Sequence, residues 1–403
     1  MYKTRVPRYL RFFLATAVLI GPAAPAAAAD DATPGPAALP VSVPLEEFSP
    51  GFLGMYRKMM EIEDEIVRYS LKYGVDTSLS KAVCLYESGG NANLTSSAGA
   101  KGYFQVMPAT FRLLRVPSNI EAGIKYLGQL VRQFGREDYA LAAYNGGPRR
   151  VSRGGIMPLE SLQYVLGVGS YRAVLRMYEP AVRAYATELA LLTTGAGDDW
   201  WTLSQRLKVP VVQVRLHNPF LAARSLQPGR IVAYPREPRS DLFDGGGSEL
   251  QYRARIGDNF LKLAFTLEVD ADRLRETNGL WRLEPLLPDT VLTIPLGPPG
   301  KYTEYRVAAG DGLFEIAGRL SVDPWWIIRD NGLWDEQVRA GTTLRIRVPP
   351  PRPTYRTHMV RPGDNLTAIA RRYSVTVSAI QAANSLGNRT IIRPGERLRI
   401  PLS

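Results

Sequence analysis

Four Gly-Asp pairs punctuate the chain beyond residue 195, at Gly197-Asp198, Gly257-Asp258, Gly310-Asp311 and Gly363-Asp364, with the glycines 60, 53 and 53 residues apart. Each pair is followed by helical spacing and then an asparagine: Asn218, Asn278, Asn331 and Asn384. Each unit closes on a short apolar strand ending in proline, Ile231 to Pro235, Leu292 to Pro295, Leu344 to Pro349 and Leu398 to Pro401. A period of this length means one supersecondary unit repeated. The segment is therefore expected to fold as a string of small modules, not around one large core. In the last copy Tyr355 to Val360 reads as a strand. Asp364 is placed to cap a helix on which Leu366, Ile369, Ala370 and Tyr373 share one face, and Thr376 to cap a second carrying Val377, Ile380, Gln381 and Asn384. Pro394-Gly395 supplies a turn into the returning strand Leu398-Arg399-Ile400. The expected unit is βααβ and about 45 residues long, near the lower limit for a core that stands alone.

The run Val360-Arg361-Pro362-Gly363-Asp364-Asn365-Leu366, with Ile369-Ala370, Asn384, Pro394-Gly395 and Leu398-Arg399-Ile400-Pro401, resembles a LysM domain. The resemblance implies binding of N-acetylglucosamine-containing polymers such as peptidoglycan and chitin. It places Gly363, Asp364, Asn365, Leu366, Ile391 and Ile392 at the glycan-binding surface of the copy at 355–402. The copies at 250–297 and 302–349 depart from the pattern where Asp289 replaces the turn glycine and Ala340 the turn proline. The copy at 196–236 lacks a clear first strand and opens on Trp200-Trp201, so it is the degenerate member. Trp200-Trp201 and Trp325-Trp326 suggest sugar-stacking platforms, but adjacent residues on a helix cannot share a face. At least one tryptophan of each pair is expected in a core.

From residue 48 to 195 the pattern is helical. Met59, Ile62, Ile66, Tyr69 and Tyr73 recur at helical spacing. Leu79, Val83 and Tyr86 mark a helix entered from Asp76 or Ser78 and stopped by Gly89-Gly90; Ile124, Leu127, Leu130, Val131 and Phe134 mark one ending at Gly135. Glu87 falls at the end of an apolar helix, where partial desolvation raises a carboxyl pKa and lets it hold a proton near neutrality. The glycine-rich stretch that follows lets backbone approach a ligand closely. Gln105 and Asn145 are neutral hydrogen-bonding groups suited to sugar hydroxyl and acetamido groups, and Tyr103, Phe104 and Tyr144 offer flat faces for pyranose rings. Such a set suits glycosidic cleavage with Glu87 as the acid. Taken alone, Glu87 reads sooner as an acid that merely ends a helix, since acids near helix ends are common.

Four blocks in order carry a second resemblance: Glu87-Ser88; Ser96 to Pro108, with Gly-Ala-x-Gly-x-x-Gln-x-Met-Pro inside it; Ala143-Tyr144-Asn145-x-Gly147; and Pro158-Leu159-Glu160-Ser161 followed by Tyr164-Val165. Together they resemble the lytic transglycosylases of the goose-type lysozyme-like fold. With the repeats, the chain is most similar to the membrane-bound lytic transglycosylase D subgroup. The resemblance implies that Glu87 is the single catalytic acid, later acting as base. It implies that Ser96, Gly102, Gln105, Met107 and Glu160 line the glycan groove, and that Tyr144 bonds and orients Glu87. Two departures stand out. No cysteine offers a site for an N-terminal lipid, and Gly89-Gly90 stands where the family often has a bulkier residue, which would alter the sugar subsite near the acid. The product implied is a 1,6-anhydromuramyl sugar formed without water. A hydrolase on the same fold would need a second carboxylate, for which Asp76, Glu121, Glu137, Asp138 and Glu160 are the candidates; a non-catalytic wall-binding protein is the other alternative.

The N-terminus limits the compartment. Lys3, Arg5, Arg8 and Arg11 precede a short apolar run from Phe12 to Gly21, and Ala26 to Ala29 supply small residues for cleavage before Asp30. Residues 1–29 therefore read as a secretory signal peptide, and 30–47 as a flexible Pro/Ala-rich leader. The apolar run is shorter than the ~20 residues that span a bilayer, so no stable membrane insertion is expected after cleavage, although an uncleaved anchor is the alternative. An exported, wall-associated protein of the periplasm follows. The net charge of +12 suits an anionic envelope or simple solubility, and export argues against nucleic acid as a partner. One cysteine, Cys84, excludes an intramolecular disulfide. The two histidines, His217 and His358, lie in repeats without a ligand cluster, so neither metal nor cofactor is expected. The expected architecture is multidomain, a mostly α lysozyme-like catalytic domain followed by βααβ LysM repeats.

Overall fold

The computed structural model describes residues 43–401 except 152–156, 223, 244–249, 281–285, 296–301, 334–335, 348–354, 362, 385, 388 and 394. The signal peptide and most of the leader lie outside the described residues. The leader's last residues do not: Val43 to Glu47 are docked, with the Val43 carbonyl accepting from Tyr185 Oη at 2.9 Å and the Glu47 carbonyl from the Ile256 amide at 2.7 Å.

Among the described residues eight α-helices come first. They are α1 Pro50–Met59, α2 Glu63–Tyr73, α3 Thr77–Glu87, α4 Pro108–Leu114, α5 Asn119–Phe134, α6 Glu137–Gly146, α7 Pro148–Val151 and α8 Leu159–Thr187. The apolar spacing from Met59 to Tyr73 spans a break, because a 3-10 turn over Met60–Ile62 separates α1 from α2. Caps follow the side chains. Asp76 accepts from the Leu79 amide to open α3, Ser118 accepts from Glu121 to open α5, and Gly135 in the left-handed region closes α5. The helices bury Phe52, Tyr56, Met59, Ile66, Val83, Phe104, Leu127, Val168 and Tyr171 in one core, with α3 lying along the long α8. Close approach depends on particular glycines: a Cβ on Gly123 would sit 2.2 Å from Phe104, and one on Gly167 2.2 Å from the Tyr86 ring.

Four antiparallel two-stranded ladders follow, each enclosing two short helices. The first is β1 Leu189–Thr193, α9 Trp200–Leu207, α10 Val211–Leu216 and β2 Ile231–Pro235. The second is β3 Leu250–Arg253, α11 Phe260–Thr266, α12 Ala271–Thr277 and β4 Val291–Ile294. The third is β5 Tyr302–Arg306, α13 Leu313–Leu320, α14 Pro324–Asn331 and β6 Thr343–Arg347. The last is β7 Tyr355–Met359, α15 Leu366–Arg372, α16 Val377–Ala383 and β8 Arg397–Pro401. The first copy thus has its opening strand after all. Leu189 to Thr193 pairs with Pro235 to Ile231; the strand went unread because it abuts the end of α8, where its apolar run continues the helical pattern.

The recurring asparagine has one task in every copy. In the last, Asn384 Nδ2 donates to the Ile380 and Arg399 carbonyls, both at 2.8 Å, and its Oδ1 accepts from the Arg399 amide at 2.7 Å. Asn218, Asn278 and Asn331 make the same clamp to Ala233, Thr293 and Arg345. A single amide pins the second helix to the returning strand. Asp364 does not cap α15. It accepts from the Arg361 amide at 2.8 Å and faces His358 Nε2 at 2.9 Å, and Asn365 caps the helix by accepting from Ala368.

The repeats differ in what they pack against. Those opening at β1 and β5 share one apolar cluster, which also takes in Leu94 from the loop after α3. Trp200 and Trp325 are buried in it, while Trp201 lies partly exposed, edge-on to Phe314 at 5.2 Å. The buried apolar residues of the last repeat form a cluster of their own.

Candidate active site

Helix α3 delivers Glu87 at its last turn and then stops abruptly. Ser88 leaves helical geometry, and Gly89 and Gly90 take φ of +57° and +74°. Those glycines do not face an open subsite. A Cβ on Gly89 would lie 2.7 Å from Met55 and from Phe220, and one on Gly90 2.7 Å from the Met59 amide nitrogen. They are small so that the turn can pack on α1, and their lack of side chain reshapes protein packing, not a sugar pocket.

The Glu87 side chain is half-buried, with Oε1 accepting from Tyr164 Oη at 2.7 Å. Burial pushes its pKa up to about 7, against the opposing pull of the Tyr164 hydrogen bond and the Lys262 cation. The carbonyl end of α3 adds to the disfavour for negative charge. Near neutrality the carboxyl can therefore both give and take a proton.

Tyr164 corrects an expectation. The hydroxyl of Tyr144 does not reach Glu87; it donates to the Phe104 carbonyl at 2.8 Å. Tyr164 on α8 is the residue that bonds the acid. Its ring stacks on that of Tyr144 at 6.5 Å between centroids and meets Tyr86 edge-on at 5.2 Å. The signal was in the sequence, since Tyr164 lies one helical turn after Glu160 in the fourth block, but only packing distinguishes two tyrosines 20 positions apart.

The segment from Leu94 to Met107 is a closely stitched loop. Ser88 Oγ donates to the Tyr103 carbonyl at 2.8 Å, tying the loop to the end of α3. Ser96 Oγ accepts from the Ala100 amide at 3.0 Å. Gln105 takes a left-handed backbone, φ +44°, and its side-chain amide donates to the Gly102 and Leu94 carbonyls at 2.8 and 3.2 Å. Gly102 sits at φ +77° against Asn119, which holds the Phe104 amide and the Lys101 carbonyl. Several expected ligands of sugar are thus also the loop's own fasteners. Tyr103 is half-buried, whereas Met107, Asn145 and Glu160 are exposed. Directly after Asn145 in the chain, Gly146, Gly147, Pro148, Arg149 and Arg150 line a depression of about 380 Å³.

In the last repeat Gly363 and Ile391 are exposed, Asn365 is committed to its cap and Asp364 to Arg361 and His358. Leu366 is buried in the repeat's core, so its side chain cannot reach a glycan, and Ile392 packs partly against the same core. Among the described residues no three His, Cys, Asp or Glu side chains form a group that could hold a metal ion. His217 is buried beside the Gln213 carbonyl, with its pKa lowered to about 4 by burial, and His358 lies between Tyr373 and Asp364. Cys84 is buried and its thiol pushed up to about 12. Among the described residues no helix is long and apolar enough to cross a membrane.

A second group at the site had no sequence signal. Lys262, on α11 of the second repeat, stands 3.6 Å from the Phe220 ring centroid and 5.3 Å from that of Tyr86, the residue before Glu87.

Comparison with known proteins agrees with the site's parts. Residues 64–155 match the Transglycosylase SLT domain family, and residues 305–347 and 358–401 the LysM domain family. The soluble lytic murein transglycosylase of Salmonella typhimurium is 33% identical over 105 residues, 22% of this chain and 16% of that protein. The transglycosylase of Enterobacteria phage PRD1 is 36% identical over 91 residues, 21% of this chain and 34% of that protein. The chain thus spans between 16% and 34% of the length of these curated relatives. The crystal structure of the 70 kDa soluble lytic transglycosylase of Escherichia coli aligns over 30% of this chain and 25% of its own, at 25% identity and a TM-score of 0.25. This chain joins a transglycosylase SLT domain, which holds Glu87, Gln105 and Tyr144, to C-terminal LysM domains.

Proposed function

We propose that the chain is a peptidoglycan lytic transglycosylase that cleaves the β-1,4 bond between N-acetylmuramic acid and N-acetylglucosamine. The observation that carries this reading is Glu87 itself: one half-buried carboxyl, raised to about 7, at the edge of the SLT domain's stitched loop. The neutral acid gives its proton to the glycosidic oxygen as the bond from muramic C1 to that oxygen breaks. Glu87, now a carboxylate, takes the proton of the same sugar's C6 hydroxyl as that oxygen bonds to C1. The proton is returned, a 1,6-anhydro ring closes, and no water is consumed. Attack from within the same sugar gains from proximity. Burial holds the Glu87 pKa up, and Tyr164 and Lys262 oppose it. Glu87 would be the catalytic residue, and the segment from Ser96 to Met107 with Asn145 and Glu160 would line the groove.

The LysM domains support a tether. Several weak glycan sites on one chain raise the effective concentration of the catalytic domain at a repetitive polymer. This reading places the chain in the periplasm on the wall, in the manner of the membrane-bound lytic transglycosylase D subgroup. Mass spectrometry of muropeptides released from purified sacculi tests it, comparing wild type with Glu87→Gln. Products one water lighter than hydrolytic ones, lost in the variant, are expected. Reducing-end products would make the enzyme a hydrolase, and no release by either protein, with sacculus binding intact, would leave a wall-binding protein.

A further inference from the structure

The second repeat is built into the catalytic body. Its first strand runs on into Ile256, whose amide donates to the Glu47 carbonyl at 2.7 Å and whose carbonyl accepts from the Ser49 amide at 2.9 Å. Buried Arg255 donates to the Glu46 carbonyl at 2.9 Å, and Gly257, at φ +89°, leaves room for the Phe52 ring, which a Cβ there would meet at 2.6 Å. The seam keeps a cavity of only about 20 Å³, lined among others by Phe52, Met55, Tyr171, Asp258, Asn259 and Lys262. A tether that merely hung from the enzyme would need none of this. Asn259 caps α11 by accepting from Leu261 and Lys262, and the helix then projects Lys262 back over α3.

Lys262 has no carboxylate within ion-pair distance among the described contacts; the rings of Phe220 and Tyr86 hold its ammonium. We propose, on the reading of Glu87 as the acid, that Lys262 is a positioning residue for Glu87: the repeat at 250–294 forms a wall of the catalytic site, and its ammonium bears on Tyr86, whose ring packs edge-on to Tyr164, the phenol that bonds the acid. The groups around the pair are few. Glu87 accepts from Tyr164 on α8, and its charge is felt by Tyr144 on α6 and by Tyr86 and Cys84 on its own helix; Lys262 stands over the Phe220 and Tyr86 rings and feels the charges of Glu87 and Arg224. Arg224 and Lys262 are the cations of this set, and Lys262 is the one that acts on Glu87. Burial lowers Lys262 to about 7, against the raising influence of Glu87.

The test uses the full chain with Lys262→Met, which keeps the aliphatic stem against Phe220, Lys262→Gln as a second neutral variant, and Lys262→Arg, which keeps the charge. The Glu87 carboxyl is titrated directly by carbon-13 NMR of labelled glutamate, with Glu87→Gln assigning the signal, and muropeptide release is measured against pH. In the neutral variants the Glu87 titration is expected to rise by roughly one pH unit. The alkaline limb of release should move with it, and Lys262→Arg should leave both near wild type. A Glu87 titration unmoved in folded Lys262→Met and Lys262→Gln overturns the proposal, even where release falls at every pH. The carboxyl titrates whether or not glycan is cleaved, so an inactive wild type would refute the proposed function and still leave this result readable.

Discussion

Tyr164 and Glu87 meet at 2.7 Å through a hydrogen bond from phenol to carboxylate, although 77 residues separate them in the chain. The bond fixes the rotamer of the acid and favours its ionised form, while burial favours the neutral form. Glu87 is therefore poised between two opposed influences.

Removing the phenol tests that balance. Tyr164→Phe keeps the ring stacked on Tyr144 and loses only the bond to Glu87. The expected result is an upward shift of the Glu87 titration and a fall in release of roughly tenfold or more. Tyr144→Phe loses a bond to the Phe104 carbonyl instead, so it should cost about 1 kcal/mol of stability and leave the Glu87 titration near wild type. Equal titration shifts in the two variants would contradict the assignment.

Much of this site was legible beforehand. Glu87, the glycine stop behind it and the loop to Met107 are contiguous in sequence, so local chemistry places them. The choice between Tyr144 and Tyr164 was not, because they project from α6 and α8, which pack on each other, and only tertiary geometry decides which hydroxyl arrives. Lys262 was invisible for a stronger reason: it belongs to the second repeat, far along the chain from Glu87, and its position follows from the docking of Ile256 on Glu47. Asn365 displaced Asp364 as the cap because the two are adjacent cap-forming residues, and Asp364 is drawn to Arg361 and His358. The opening strand of the first repeat was hidden by the helix it follows.

The asparagine clamp predicts a local failure. Asn384→Ala removes three hydrogen bonds that close the last repeat and leaves two backbone groups of Arg399 without that partner. A loss of about 2–3 kcal/mol is expected in the last repeat. Because that repeat has a core of its own, thermal unfolding should show an early transition confined to it. Retention on sacculi should fall, while turnover of short soluble glycan should hold. One cooperative transition shifted as a whole would mean the repeat is coupled to the rest.

Burying an acid also costs stability. The native pKa of Glu87 lies above its ordinary value of 4.5, so the folded chain binds more proton than the unfolded one up to about pH 7. Stability from this group is full below 4.5 and is lost as pH rises through about 7. Glu87→Gln keeps an acceptor for Tyr164 and abolishes the titration. It should raise Tm at pH 8 and change it little at pH 4, with a ceiling of about 3 kcal/mol on the gain. A gain independent of pH would show that the carboxyl is not strained by burial.

Lys58 gives the opposite slope. It is 1% exposed and donates to Asn91 Oδ1 in the loop after Glu87 and to Asn218 Oδ1 in the first repeat, both at 3.2 Å. Two neutral oxygens do not replace the hydration of an ammonium, and burial lowers its pKa from 10.5 to about 7. Below pH 7 both the folded and unfolded chains carry the charge, and the burial penalty is present in full. Between 7 and 10.5 the folded chain has shed the proton that the unfolded chain still holds, so this group's penalty is relieved as pH rises. Lys58→Met should therefore stabilise most at pH 6 and progressively less toward pH 10, with about 5 kcal/mol as the ceiling on that difference. The missing bonds act the other way at every pH: Asn218 keeps the Ala233 amide as a donor, whereas Asn91 Oδ1 loses the ammonium. Chemical denaturation of both proteins from pH 6 to 10 separates the two effects, since only the titration changes slope. Parallel curves would place the Lys58 charge in contact with water and remove it as a strained link between the loop behind Glu87 and the first repeat.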